Sequence, residues 1–190
     1  MQSYYIEKEA IELKFCLECG SRLVLKECNG EGEVPYCEPC AAFRFPVFST
    51  AMSTAVLNRE LDRILLIQQY GRQNYILLAG YVNKGENAEA ALIREVKEEA
   101  GLTVIAYEYM RSEYFAPSNT LMLNFISVAD TEDLSGMSDE LDHAAWFTLD
   151  EAGEAILGGS LAESFLLTII AKLRQGRTLE ELTPVSGDIR

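Results

Sequence analysis

Basic charge is scarce in this chain: 16 Lys and Arg stand against 30 Asp and Glu, a formal net charge of −14. A surface that negative disfavours broad binding to phosphate backbones, so a general nucleic-acid role is not expected. A small anionic substrate remains admissible where local cations neutralise the site. Long apolar runs are also missing. None approaches the ~18 residues of a transmembrane helix, so no membrane span is expected. The opening MQSYYIEKEAIELKF has no basic stretch followed by an apolar one, so no secretory signal is expected, and cytoplasmic residence follows. Histidine is reduced to His143, whose strand context reads as a partly exposed structural residue and not as a catalytic base. Internal repeats and low-complexity tracts are absent, and no cysteine follows Cys40.

The five cysteines present are correspondingly crowded, at 16, 19, 28, 37 and 40. Cys16-x-x-Cys19 and Cys37-x-x-Cys40, separated by residues 20 to 36, have the spacing of a two-knuckle zinc ribbon. Each Cys-x-x-Cys turn points two thiolates at one metal, and two turns complete a tetrahedral four-sulfur shell for structural Zn²⁺. Gly20 suits the tight turn after Cys19. A disulfide pair or ordinary buried thiols are the alternatives, and a reducing compartment disfavours the first. Cys28 reads as a free thiol in the connecting hairpin, its replacement of one of the four as a ligand being the alternative.

Apolar residues make up 48% of the chain, enough for a sizeable core. The organisation expected is a lead-in over 1–12, a ribbon over 13–43, a main domain over 44–176 and a C-terminal tail over 177–190, with TPVSGDIR loose. AAFRFPVFSTAMSTAVLN and RILLIQQY read as strands paired across the polar NRELD, and YILLAG as a third strand ended by Gly80. A helix over Asn87–Ala100 buries Ala88, Ala91, Leu92 and Val96 and stops at Gly101. TVIAYEYM and LMLNFISV read as strands separated by an irregular RSEYFAPSNT; the acidic TEDLSGMSDE and a short strand around AAWFTL follow. Thr148-x-x-Glu151 and Ser160-x-x-Glu163 are capping boxes, the second opening the amphipathic LAESFLLTIIAKLRQG. Trp146 and Phe147 read as core. The order β, β, β, α, β, β, α describes an α/β sandwich whose helices cover a mixed sheet.

The most informative stretch is GYVNKGENAEAALIREVKEEAGL, Gly80 to Leu102. Its helix sets Glu95, Glu98 and Glu99 on one side, where like charges three and four apart repel by roughly 0.2–0.5 kcal/mol a pair. A solvated acidic face is the plain reading. The chemical one is that the carboxylates hold Mg²⁺ or Mn²⁺, hard ions that favour a few carboxylates together with substrate phosphates. The glycine-bounded turn from Gly80 to Gly85 lets backbone approach such a metal and its ligand, with Gly80 a candidate metal contact. Glu86, eight residues before Arg94, is placed to hold its guanidinium bidentately and so fix the loop to the helix.

The pattern Gly80-x5-Glu86-x7-Arg94-Glu95-Val96-x-Glu98-Glu99-x-Gly101-Leu102 resembles the Nudix box, with every specified position filled. The resemblance implies a Nudix α/β/α sandwich over roughly 45–175, preceded here by the small ribbon. It implies that Glu95, Glu98 and Glu99 hold the divalent metal, with Glu95 also a candidate base, and that Glu86 and Arg94 form a structural pair. A further acidic residue outside the box commonly completes such sites; Glu140, in DELDHAAWF, resembles the E-x-x-x-A-x-W-F segment of several branches. A four-cysteine ribbon ahead of LAGYV resembles the NADH pyrophosphatase branch, in which the aromatic after the glycine stacks on a base, a role for Tyr81. That branch's serine-glutamine-proline-tryptophan stretch corresponds here to SEYFAPSNTLM, which lacks the Gln-Pro-Trp core; its Tyr114 and Phe115 are candidate stacking contacts. The activity implied is hydrolysis of the pyrophosphate bond of a nucleoside diphosphate linked to another moiety. A small-molecule nucleotide such as NADH is favoured over ADP-ribose or FAD, and a homodimer is expected. A non-catalytic Nudix nucleotide sensor is the rival reading, disfavoured because every box glutamate is present.

Overall fold

Burial is nearly continuous along the central strands of the main unit, and their side chains alternate between two apolar layers. In the computed structural model, which describes residues 13–185, Ala55 and Leu57 of one strand and Ile64 and Leu66 of the next face one core. Met52, Val56, Leu65 and Ile67, the alternate residues, face the other. A strand buried on both faces belongs to the middle of a three-layer arrangement.

The chain divides after Ser49 into two compact units. The first contains β1 (Val24–Glu27), β2 (Glu33–Cys37) and β3 (Ala42–Phe43), an antiparallel sheet in that order. The second carries β4 (Ser49–Leu57), β5 (Arg63–Gln68), β6 (Leu78–Tyr81), β7 (Val104–Phe115), β8 (Thr120–Ala129), β9 (His143–Thr148) and β10 (Thr183–Pro184). These form a seven-stranded sheet, β10-β7-β8-β4-β5-β9, with β6 paired to β4 alongside Ala51–Thr54. The helix α1 (Ala88–Ala100) packs on one face through Ala91, Leu92 and Val96. The helices α2 (Leu149–Ala155) and α3 (Leu161–Arg174) cover the other through Ala152, Phe165, Leu166, Ile169, Ile170 and Leu173. This is the α/β/α sandwich that the sequence predicts. Among the described residues no helix is long and apolar enough to cross a membrane.

Local chemistry accounts for the element ends. The Asn87 side chain accepts from the Ala90 backbone N–H at 2.7 Å, capping α1, and Gly101 ends it in the left-handed region at φ 74°. A side chain at 101 would also strike the backbone of Gly136, a Cβ there lying 2.4 Å from its carbonyl. Thr148 and Glu151 complete a reciprocal capping box for α2. At α3 Ser160 caps the Glu163 N–H, but the Glu163 carboxylate reaches one residue further back, to the Gly159 N–H at 2.6 Å.

Several sequence expectations shift. Gly80 does not end its strand; β6 runs through it to Tyr81, while Tyr75 and Ile76 form isolated bridges. Arg111–Phe115, expected to be irregular, continue β7 in register with β8, and the connection shrinks to a 3₁₀ turn at Ala116–Ser118 and Asn119. The segment before β4 is likewise interrupted, since only Ala42–Phe43 and Ser49–Leu57 are strand. The tail is partly structured: Leu182 is buried, and Thr183 and Pro184 pair with Tyr107 and Ala106. The lead-in and residues 186–190 lie outside the described residues.

Candidate active site

The acidic side of α1 meets β6 and the loop between them, and Arg94 is the hub. Its Nε and Nη2 donate to the two oxygens of Glu86 at 2.8 and 2.9 Å, the bidentate pairing expected from the spacing. Nη2 also donates to the Tyr81 carbonyl at 3.1 Å, and Nη1 to Glu95 at 2.8 Å and Glu98 at 3.0 Å. One guanidinium therefore binds three carboxylates and a strand carbonyl, which offsets the like charge of Glu95 and Glu98 but leaves Glu99 without a cation. The loop is closed by the Asn83 N–H donating to Glu86 at 3.0 Å. Gly85, at φ 86°, makes the turn. The Arg94 hydrogen bonds hold the Glu86 carboxyl down to about 2 and raise the guanidinium's own value.

Glu95 lies directly over Gly80: a Cβ on residue 80 would sit 2.1 Å from the Glu95 Cδ. Glu98 is more open, its side chain 60% exposed. Glu99 differs from both. It is 6% exposed, its Oε1 accepts from Gln69 Nε2 at 3.2 Å, and its buried Oε2 has no hydrogen-bond partner. Burial pushes its carboxyl up to about 7; the charges of Glu95, Glu140 and Glu98 act in the same direction, while Gln69 opposes them.

Glu140 reaches this group on the loop between β8 and β9. Its charge is felt by Glu99, and the loop is tied to the end of α1 by the Ser138 N–H donating to the Glu99 carbonyl at 2.9 Å. Tyr81 is exposed at the end of β6. Tyr114 and Phe115 stand at the tip of the β7–β8 hairpin, the Tyr114 hydroxyl donating to Asn119 Oδ1 at 2.5 Å. The exposed His143 lies against the Tyr75 ring. Sequence reasoning missed Gln69. Leu65 and Ile67 face α1, so strand parity sets Gln69 on that same face.

A buried carboxylate oxygen without a partner, facing the charges of three more glutamates, suits a hard cation. The four are not drawn close together, since Glu95 and Glu98 are held by Arg94 and Glu99 by Gln69. Among the described residues, the one group of His, Cys, Asp or Glu ligand atoms within 4.8 Å of one another is Cys16, Cys19, Cys37 and Cys40. Cys19 and Cys37 sulfurs are 3.4 Å apart and those of Cys16 and Cys40 3.9 Å. A tetrahedral Zn–S distance of about 2.3 Å requires about 3.8 Å between sulfurs. The neighbouring sulfurs push the Cys40 thiol up to about 12, so ionising all four is disfavoured unless a cation lies among them. Cys16 is lowered to about 6, first by the Cys19 backbone N–H and, more weakly, by Arg44, whose Nε lies 3.2 Å from its sulfur. Cys28 stands apart at the end of β1 and is free.

Comparison with known proteins agrees with this geometry. A NUDIX domain profile matches residues 48–166. The NAD-capped RNA hydrolase NudC of Vibrio cholerae is 30% identical over 165 residues, covering 86% of this chain and 60% of that protein. The protein of the same name from Pseudomonas aeruginosa is 32% identical over 139 residues, covering 72% and 48%. The chain thus spans about half to three-fifths of these relatives' length. A NUDIX hydrolase from Nitrosomonas europaea superposes with a TM-score of 0.66 at 18% identity, covering 87% of this chain and 95% of that one. The NUDIX domain of Shewanella oneidensis NrtR, solved with ADP ribose, superposes at 0.55 and 14% identity, covering 74% and 94%. With the full box in place at the end of β6 and along α1, the chain belongs to the Nudix hydrolase family.

Proposed function

We propose that the chain hydrolyses the pyrophosphate bond of a nucleoside diphosphate joined to a second moiety, with an NADH- or NAD-like dinucleotide favoured. The observation that carries this reading is Glu99: a carboxylate with a buried, unpartnered oxygen, next to Glu95 and Glu98 and under the charge of Glu140. Mg²⁺ or Mn²⁺ would be held by Glu95, Glu98, Glu99 and Glu140, beside the Gly80 backbone. When bound, such a cation neutralises diphosphate oxygens and acidifies a water. The chain's own residues do the rest. Arg94 and Glu86 hold the loop to the helix and keep Glu95 and Glu98 in place. Burial favours the protonated form of Glu99 up to about pH 7, and a cation held there would favour the carboxylate instead. Tyr81, Tyr114 and Phe115 offer exposed aromatic surface to the groups flanking the diphosphate.

The ribbon cysteines hold structural Zn²⁺ in this reading, and the protein is a cytoplasmic homodimer. The NudC relatives bear the name of NAD-capped RNA hydrolases; such an RNA end presents the same diphosphate as free NAD. The charge of −14 works against long phosphate contacts, which favours the small dinucleotide over the RNA body.

The test is a panel of NADH, ADP-ribose, FAD and an NAD-capped oligonucleotide with Mg²⁺ and with Mn²⁺, assayed for phosphate-monoester products. Cleavage of NADH ahead of the others supports the reading. Preference for ADP-ribose or FAD moves the substrate within the class. Nucleotide binding with no cleavage of any of them establishes the non-catalytic sensor instead.

A further inference from the structure

The glutamates on α1 form a line with two ends, and each end has its own exposed tyrosine. At the first end, Gly80 underlies Glu95 and the Tyr81 carbonyl accepts from Arg94. At the other, Gln69 donates to Glu99, and Tyr70 is the next residue. Tyr70 is 83% exposed, against 59% for Tyr81, and adopts φ 60°, a left-handed conformation strained for a side chain of its size. The turn around it is held from both sides. The Gly71 N–H donates to Asp142 Oδ2 at 2.6 Å, the Asp142 N–H to the Gln68 carbonyl at 2.9 Å, and Gln68 Nε2 to the Gln73 carbonyl at 2.6 Å. Asp142 is itself two residues beyond Glu140. The strained tyrosine therefore rides on the two segments that supply Gln69 and Glu140 to Glu99. Nothing in the fold requires an aromatic there: the ring is in solvent, and glycine would relieve the backbone.

Resting on the function proposed above, we propose that Tyr70 is a specificity-determining residue that stacks on the flanking group opposite the one met by Tyr81. Glu95 and Glu99 are separated by about 6 Å of helix rise, so a diphosphate seated along them sends its two substituents toward opposite ends. A substrate with a planar ring on each side, as in a dinucleotide, engages both tyrosines. One with a single ring engages only one.

Kinetics of Tyr70→Ala, Tyr70→Gly and Tyr70→Phe on NADH and ADP-ribose test this, with Tyr81→Ala alongside. Loss of one stacking contact is expected to raise the NADH KM by about five- to a hundredfold, with kcat little changed and Tyr70→Phe close to the parent. Tyr70→Gly is expected to lose the contact equally while melting no lower than the parent, which separates recognition from folding. For ADP-ribose, which has one base, only one of Tyr70→Ala and Tyr81→Ala raises KM. An NADH KM within twofold of the parent in both Tyr70→Ala and Tyr70→Gly overturns the inference, as does an equal loss on both substrates from both positions. If the parent protein cleaves none of NADH, ADP-ribose, FAD and the NAD-capped oligonucleotide, the functional reading fails separately. The dissociation constant of NAD⁺, measured by calorimetry with Ca²⁺ present, then judges Tyr70 by the same fold-change, and absence of binding or no change in Tyr70→Ala overturns it.

Discussion

Gly80 lies under the Glu95 carboxylate so closely that no side chain fits between them; an added Cβ would stand 2.1 Å from Cδ and 2.2 Å from Oε1. The obstacle is the end of a side chain that must stay where it is, held by Arg94 at 2.8 Å. Gly80→Ala is therefore expected to displace Glu95 and leave the strand intact. A shift of about 1 Å costs on the order of a hundredfold in turnover, and the Mg²⁺ concentration for half-maximal rate should rise with it. Melting temperature should change little, since alanine suits a strand at least as well as glycine. Titration of the rate against Mg²⁺ checks both; parent-like kinetics would remove Glu95 from the metal site.

Glu99 predicts a pH signature. Its carboxyl stands at about 7 in the folded protein against an ordinary 4.5. The folded state thus holds this proton more tightly, and the stability this contributes is complete below about 4.5. It is lost as pH rises through 7, where a buried carboxylate must ionise. The metal-free protein should lose stability across that window, and Mg²⁺ should restore it above pH 7 more than below. Glu99→Gln should flatten the dependence and melt higher than the parent at pH 8 without metal, while turnover falls by several orders of magnitude. Thermal melts at pH 5 and 8, with and without Mg²⁺, decide it.

The Glu86–Arg94 pair has the opposite sign. Glu86 is lowered to about 2, so its contribution is present above about 4.5 and disappears as pH falls toward 2. Glu86→Gln should lower the melting temperature at pH 7 and show a shallower acid limb than the parent. Arg94→Lys should not rescue the loop, because an ammonium cannot meet both Glu86 oxygens and the Tyr81 carbonyl in one plane. Equal melts of parent and Glu86→Gln at pH 7 would reduce the pair to a crystal-like surface contact of no consequence.

What the sequence made legible, and what it hid, follows from how local each cause is. Helix α1 was readable because its cap, apolar face and terminal glycine lie within a few residues of one another. The Glu86–Arg94 pair was readable from its spacing across the loop, whereas the hold of Arg94 on Glu95 and Glu98 was not read, although Arg94 and Glu98 stand at i, i+4. Gly80 was misread as a strand end because its reason, the Glu95 carboxylate, comes from a helix fifteen residues away in sequence. Arg111–Phe115 were missed because the half-covered face of the hairpin carries Arg111 and Glu113 while Ser112, Tyr114 and Phe115 are exposed, so the stretch shows no apolar alternation. The pairing of Thr183 and Pro184 with β7 joins distant segments through two residues, too few for any pattern to show. Gln69 was within reach, since parity from Leu65 and Ile67 assigns its face.

The ribbon supplies the last prediction. Its sheet has three short strands, and Val24–Glu27 are exposed throughout, so apolar burial cannot hold so small a unit together. Under the proposed reading, metal ligation by Cys16, Cys19, Cys37 and Cys40 contributes the difference. About one Zn²⁺ per chain should survive dialysis, and Cys16→Ser should lose it with the ribbon's stability, whereas Cys28→Ser, whose sulfur lies outside the cluster, should change neither. Arg44 adds a graded test. Its Nε donates to the Cys16 sulfur at 3.2 Å while Nη2 pairs with Glu18, and the Arg44 N–H donates to the Pro35 carbonyl at 2.7 Å, so the guanidinium is fixed beside a centre that carries two net negative charges when zinc is bound. Removing such an outer partner weakens metal affinity by about 10–100-fold. Arg44→Ala should therefore release zinc to a chromogenic chelator at least tenfold faster than the parent, with Arg44→Lys intermediate because it keeps the charge and loses the fork. Elemental analysis and chelator kinetics read both effects; a zinc-free native protein, or equal damage from Cys16→Ser and Cys28→Ser, would mean that these four sulfurs are not the ligands.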